Sequence, residues 1–262
     1  MLLRSLGSGV SGLKGFQTDL DVIGNNIANV GTVGFKGSRV NFSDAFSQQL
    51  QGASANENPV QVGLGAQTAS VQTIAGSAIE TTTDSPSDLY INGDGYFQVT
   101  DGSNIYYTRA GDFTINSAGD LVSPAGLTLC DKTGTATTPG KAIGPLSGYD
   151  SYTIDNSGNV VGVKGSATTN LGTVGVYTFA NPTGLTKMGG SLYQSNSASG
   201  DPTSVTLGTD TKIIQGALEE SNVDLTDEMT NLITAQRAYQ ANAQTITTAD
   251  DILQTLIQLK RS

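Results

Sequence analysis

Near the start of the chain, apolar residues fall at Leu6, Val10, Leu13, Leu20, Ile23, Ile27 and Val30, in steps of three, four or seven. Such steps line one face of an α-helix, so the pattern predicts an amphipathic helix to about Val30. On a neighbouring face Asp21, Asn25 and Asn29 recur every four residues, which sets an amide-rich row beside the apolar one. Gly7, Gly9, Gly12 and Gly15 weaken the helix near its start, each by roughly 1 kcal/mol relative to Ala. Two readings follow: another backbone approaches closely there, or this end stays disordered until something packs on it. Gly31 and Gly34 end the helix.

The helical period returns at the other end, at Leu225, Met229, Leu232, Tyr239, Ile246, Leu253 and Ile257, with Gln236, Ala243 and Asp250 at the intermediate heptad sites. Asp224, followed by Asp227 and Glu228 in the first turn, is an N-terminal helix signature. Lys260 and Arg261 suit the C-terminal end of the dipole.

Between these ends the period changes to two. Phe35, Phe42 and Phe46 lie in a stretch that permits a further helical turn. Residues 48–59 are polar and low in complexity and read as a loop. Val62, Leu64, Val71 and Ile74 suggest extended structure. The strongest strand signal is Leu89-Tyr90-Ile91, then Asn92-Gly93-Asp94-Gly95, then Tyr96-Phe97-Gln98-Val99. It predicts a hairpin closed by a type I′ turn. Thr114-Ile115-Asn116-Ser117-Ala118-Gly119-Asp120-Leu121-Val122 is echoed by Thr153-Ile154-Asp155-Asn156-Ser157-Gly158-Asn159-Val160-Val161, each a strand, an Asn/Ser/Gly turn and a strand. Further strands are expected near residues 174–179, a loop-rich stretch over 181–208, and a last strand at Ile213-Ile214.

The predicted class is α+β: terminal α-helices paired as a coiled coil, and a central all-β domain of short antiparallel strands. The expected division is a helical assembly core at 1–34 and 222–262, extended connecting segments at 35–84 and 200–221, and the β domain at 85–199.

Composition narrows the function. The chain has 262 residues, 33 of them Gly, with a formal net charge of −10 from 13 basic and 23 acidic side chains. Phosphate contacts need clustered Lys and Arg, so nucleic acid is not the expected partner. His is absent, which removes the usual general base, metal ligand and nucleophilic triads. The lone Cys130 excludes an intrachain disulfide and a multi-thiolate metal site. No metal or cofactor is expected, and no catalytic residue. Glu219-Glu220 and Asp250-Asp251 read as solvated surface charge, since adjacent residues do not face each other on a helix. A hydrolase using two carboxylates is the enzymatic alternative. Asp155 to Asn159 lacks the closing Glu of a calcium loop and reads as a plain turn. No run of about 18 apolar residues is present, so no membrane span is expected. Gly7, Ser8, Ser11, Lys14 and Asp19 interrupt any apolar signal core, so a cleavable signal is not expected, and export, if it occurs, would follow a route that does not cut one.

The two stripes could close on each other within one chain. A two-helix pair of that length is marginal by itself, and further neighbours would come from other copies of the chain.

Leu20-Asp21-Val22-Ile23-Gly24-Asn25-Asn26-Ile27-Ala28-Asn29, followed by Thr32-Val33-Gly34-Phe35-Lys36, closely resembles the N-terminal motif of bacterial flagellar axial proteins, the rod, hook and hook-associated family. Glu220-Ser221-Asn222-Val223-Asp224-Leu225-Thr226-Asp227-Glu228-Met229 and Ala235-Gln236-Arg237-Ala238-Tyr239-Gln240 look like the matching C-terminal motif. Gly93-Asp94-Gly95-Tyr96-Phe97-Gln98-Val99 and Tyr107-Thr108-Arg109-Ala110-Gly111-Asp112-Phe113 resemble the hook and distal-rod branch. The start Met1 to Leu6 and the segment Gly216 to Thr226 look more like the short hook proteins of Gram-positive bacteria. Residues 48–63 lie where a stiffening insertion is associated with the straight rod, and here they are of intermediate length.

The resemblance implies a subunit of a cell-surface appendage, exported by the flagellar type III apparatus. It would polymerise below a cap into a hollow tube, with terminal helices inside and the β domain outside. Its function would be the flagellar hook, transmitting torque from rod to filament and passing exported subunits; the alternative is the distal rod. Partners would be further copies, rod and hook-associated proteins, the hook cap and the export apparatus. Residues implied for self-assembly are those of the two stripes together with Asp21, Asn25, Asn26, Asn29, Gln236 and Arg237.

Overall fold

The computed structural model describes residues 2–51, 60–135, 138–208 and 211–261. The chain divides into two compact units. One comprises residues 1–28, 38–74 and 223–262; the other comprises 29–37 and 75–222.

In the first unit, α1 (Leu2–Ala28) and α2 (Leu225–Arg261) run antiparallel. At 27 and 37 residues they are about 40 and 55 Å long. Asp224 caps α2: its Oδ1 accepts the N–H groups of Thr226 and Asp227 at 2.7 and 3.3 Å. Three of the early glycines are close-approach positions. A Cβ on Gly9 would meet Ile246 at 3.1 Å, on Gly12 the Asn242 carboxamide at 3.0 Å, and on Gly15 the Phe42 ring at 2.9 Å. Gly7 meets nothing.

The expected helical turn around Phe42 is instead a strand. Ser38–Asp44 pairs antiparallel with Ala66–Thr73, and Ser47–Gln51 with Val60–Gly63, forming one two-stranded arm. In that strand Phe42 meets Phe16 of α1 in a tilted ring contact at 5.6 Å, while Phe46 stays almost wholly exposed. Strand pairing thus takes up residues 48–51 of the expected loop over 48–59, and residues 52–59 of it lie outside the described residues.

The second unit holds the β domain. Nine strands form its main sheet, all antiparallel, with Tyr96–Thr100 paired to Ile105–Thr108, Thr128–Leu129 and Val176–Thr178. Ser151–Ile154, Asn159–Lys164 and Ala167–Thr173 form a three-stranded sheet. Leu89, Phe97, Phe113, Leu129 and Ile213 lie in one core cluster, and Tyr96, Tyr107, Tyr177, Phe179 and Tyr193 in a second.

The expected Asn-Gly hairpin does not form. Leu89–Asn92 pairs with Lys212–Gln215, a partner more than a hundred residues away, while Tyr96–Thr100 joins the main sheet. Gly93 and Gly95, at φ 123° and 147°, carry the chain from one sheet to the other instead of folding it back; a type I′ turn needs φ near +60°. The two echoed hairpins do form. Asn116 Oδ1 accepts the N–H groups of Ala118 and Asp120, both at 2.9 Å, and Asp155 Oδ1 does the same for Ser157 and Asn159. Residues 200–221, expected as connecting chain, carry Lys212–Gln215 and Ala217–Glu219, which complete sheet pairs with Leu89–Asn92 and Glu80–Thr82.

Candidate assembly surface

The seam between α1 and α2 is built from small residues. Gly9 and Gly15 on α1 and Ala235 and Ala249 on α2 are buried, with Ile23 beside them. Where glycine removes a side chain, the partner helix comes close, and alanine fits the gap better than leucine. The α2 face in the seam is therefore Leu232, Ala235, Asn242, Ile246, Ala249 and Leu253, one position off the expected stripe at several points.

Of the residues expected for self-assembly, Leu6, Leu13, Leu20, Ile27, Leu232, Ile246 and Leu253 are half-buried and Ile23 is buried. Val10, Leu225, Met229, Gln236, Arg237, Tyr239 and Ile257 are exposed. Val30 and Asn29 lie past the end of α1 and belong to the second unit. Asp21 and Asn25 of the polar row are exposed in the single chain. The buried amide is their neighbour Asn26, 1% exposed. Its Nδ2 donates to Ser38 O at 2.8 Å and to Glu228 Oε1 at 3.0 Å, and its Oδ1 accepts the Ser38 N–H at 3.0 Å. One side chain thus joins α1, the arm and α2, and sets their register.

The pairing also leaves large apolar residues outside. Leu225, Met229 and Ile233 are exposed in one row of α2, and Ile252, Leu256, Ile257 and Leu259 are exposed near its end. Beside Asn26, a groove of about 250 Å³ opens between the helices and the arm, with Phe16, Val22 and Phe42 on its walls and the charged residues Asp19, Arg39 and Glu228 on its lining. Burial raises the Asp19 carboxyl above its ordinary range. Burial also raises Glu228, against the hydrogen bond from Asn26 and with the help of Asp19 and Asp227.

The second unit contains a buried ion cluster, made of charges that the sequence places on the surface or in separate segments. Glu219, expected on the surface, is fully buried, as is Lys36, and Arg109 is nearly so. Glu219 Oε1 takes Lys36 Nζ at 2.6 Å and the Ala78 N–H at 3.0 Å; Oε2 takes Arg109 Nη1 at 3.2 Å. Lys36 Nζ also donates to Gly76 O, and Arg109 to the carbonyls of Ile91 and Gly93. The Arg109 guanidinium lies 5.6 Å from the centre of the Tyr96 ring. Burial holds the Lys36 ammonium below its ordinary range, and the Glu219 charge works against that shift. Strand alternation was the available signal: Glu219 shares a face with buried Ala217, while Glu220 is exposed. The Asp250-Asp251 pair is exposed. Cys130 is buried, and burial pushes its thiol up to about 12, so it is not a reactive group. Among the described residues no group of three or more acidic, Cys or His side chains is placed to hold a metal ion, and no helix is long and apolar enough to cross a membrane.

Three segments match known families. Residues 6–36 match the family described as flagella basal body rod protein, 90–162 the flagellar hook protein FlgE/F/G D1 domain, and 214–259 the flagellar basal body rod FlgEFG protein C-terminal region. Lys36, Arg109 and Glu219 fall one in each, so the buried cluster joins all three. The chain is 44% identical over 271 residues to the flagellar basal-body rod protein FlgG of Bacillus subtilis (strain 168), covering 99% of this chain and 100% of the relative. It is 37% identical over 272 residues to the protein of that name from Caulobacter vibrioides, covering 98% and 100%. The flagellar hook protein FlgE of Borreliella burgdorferi is 50% identical, but over 130 residues, 47% of this chain and 29% of the relative. Full-length likeness therefore runs to rod proteins, against the hook expected from the terminal segments. The chain belongs to the flagellar rod and hook family of axial proteins, a structural and non-enzymatic family.

Proposed function

We propose that the chain is a subunit of the flagellar basal-body rod. The observation that carries this reading is the rod-protein likeness along 99% of the chain, set against hook-protein likeness over 47%. The paired strands over 38–51 and 60–73 add to it, because they lie in the region where a stiffening insertion is associated with the straight rod. In the rod, copies of the chain stack into a hollow tube that turns as a shaft and conducts exported subunits. The exposed apolar rows of α2 are then the surfaces that neighbouring copies cover. The subunit leaves the cell through the flagellar export apparatus and meets the other axial proteins at either end of its own segment.

Electron microscopy of basal bodies from cells lacking this chain tests the reading. The rod should be cut short and the hook missing. A complete rod with only the hook missing would return the hook reading.

A further inference from the structure

The N-terminal motif ending Gly34-Phe35-Lys36 and the C-terminal motif opening Glu220-Ser221-Asn222 meet inside the second unit. The chain passes out of that unit at four places: before Asn29, after Gly37, before Ala75 and after Asn222. The last three are tied to one another within it. Asn222 Oδ1 accepts the Gly37 N–H at 2.8 Å, the Asn222 N–H donates to Phe35 O at 3.3 Å, and Asn222 Nδ2 donates to Gly76 O at 3.4 Å. The buried cluster makes a second set of ties between the same segments. Glu219 Oε1 accepts Lys36 Nζ and the Ala78 N–H, the Glu219 carbonyl accepts the Gly34 N–H at 2.8 Å, and Lys36 Nζ donates to Gly76 O at 2.8 Å. Gly34 has φ 64°, and a Cβ there would meet the Ala110 nitrogen at 2.5 Å. Glycine is what lets the segment lie against Arg109-Ala110. The remaining exit is closed locally, by the Thr32 N–H on Asn29 O at 3.1 Å.

Segments that leave a folded unit fray with little opening free energy unless something holds them. Here each is held by groups that belong to the other two. We infer that Asn222 and Glu219 fasten the exits after Gly37, before Ala75 and after Asn222 into one cooperative element, so that they open together or stay closed together. Asn222 is the positioning residue, and the buried Glu219 is the fixed point to which it ties the others. The use of this fastening rests on the rod reading. In a rotating shaft, a load that reaches the β unit along one segment is shared among three, and slack is removed where fraying would introduce it.

Residue-resolved amide exchange in the full-length chain, below its assembly concentration, tests the fastening. Asn222→Ala should speed exchange at Gly37 about tenfold or more. Gly34 and Ala78, whose N–H groups bind Glu219 and not Asn222, should speed up by the same factor. Val99 and Tyr107 in the main sheet should keep their wild-type rates. Acceleration at Gly37 alone would overturn the fastening, because the exits would then open one by one. Acceleration that includes Val99 and Tyr107 would overturn it as well, because the variant would have weakened the whole unit. The mechanical use is read separately from assembled tubes. Asn222→Ala tubes should have a shorter persistence length at an unchanged assembly threshold. Accelerated exits with tubes of wild-type stiffness would overturn the mechanical use and leave the fastening standing. Wild-type chain that forms no tubes would overturn the rod reading and leave the exchange result to decide the fastening.

Discussion

The two units answer the same question, where to put apolar surface, in opposite ways. The β unit buries Leu89, Phe97, Val99, Leu129 and Ile213 completely or nearly so and places even a Lys, an Arg and a Glu inside. The helical unit buries small residues, Gly9, Gly15, Ala235 and Ala249, and leaves Met229, Ile233, Leu256 and Leu259 outside. A domain that folds for itself hides its large side chains. A unit that keeps them outside is shaped for neighbours. The contrast is one of degree, since the β unit also leaves Ile79, Ile115 and Met188 exposed; under the proposed rod reading, the helical unit is the one that neighbouring copies would complete.

The sharpest way to test that contrast is to remove Glu219. It is the carboxylate that faces both Lys36 and Arg109, so Glu219→Leu leaves two buried cations without their counter-ion. The expected loss is about 3–5 kcal/mol, read as a fall in the urea midpoint of the near-ultraviolet tyrosine signal. Replacing all three residues, with Lys36→Met, Arg109→Met and Glu219→Leu, should recover most of it. Met229→Ala in the helical unit should change monomer stability by no more than about 0.5 kcal/mol, because that side chain is half exposed. If Met229→Ala cost the monomer as much as Glu219→Leu, the division would fail.

A smaller effect is expected at Asn26, the exception to the rule that the helical unit buries only small or apolar groups. Asn26→Ala deprives the Ser38 N–H and the Glu228 carboxylate of their partner. The expected cost is about 1–3 kcal/mol, measured at 222 nm, with the tyrosine band unmoved. A loss shared equally by both probes would mean that the units unfold as one.

How much of this was legible depended on how far apart in sequence the partners lie. Both helices could be read from their own periodicity, and Asp224 from the chemistry of capping. The hairpins at 114–122 and 153–161 could be read because turn and strands are contiguous. The pairing of Leu89–Asn92 with Lys212–Gln215 could not, since nothing in the Asn-Gly turn reports a competing partner over a hundred residues away. The α2 seam shares Leu232, Ile246 and Leu253 with the expected stripe and lies one position earlier at the intermediate sites, at Ala235, Asn242 and Ala249 in place of Gln236, Ala243 and Asp250, because the glycines of α1 admit small side chains there. The cluster of Lys36, Arg109 and Glu219 was hidden for a third reason. Each charge looks ordinary in its own segment, and only the closed β unit makes them neighbours.

The subtlest difference between the units is the sign of their response to acid. Burial raises Asp19 and Glu228 above their ordinary values of 3.8 and 4.5. Each binds its proton more readily in the folded chain than in the unfolded one. Its contribution therefore favours folding below the ordinary value and is lost as pH rises through the folded one. In the β unit Asp101 is held low by the backbone N–H groups of Asn104 and Ser103. Asp155 is pushed up by burial but held lower still by Asn159 and Ser157. Their contributions are present above the ordinary value of 3.8 and are lost as pH falls through the lowered one. Burial raises Asp112 and gives the β unit one opposing group, which Asp112→Asn removes. In that background, acidification from pH 7 to about 4.5 should raise the melting temperature seen at 222 nm and leave that of the tyrosine band nearly level. Further acid should lower the tyrosine transition first. Asp19→Asn with Glu228→Gln should abolish the rise at 222 nm. If the rise survives that double substitution, the groove carboxyls are not its source, and the acid response no longer separates the two units.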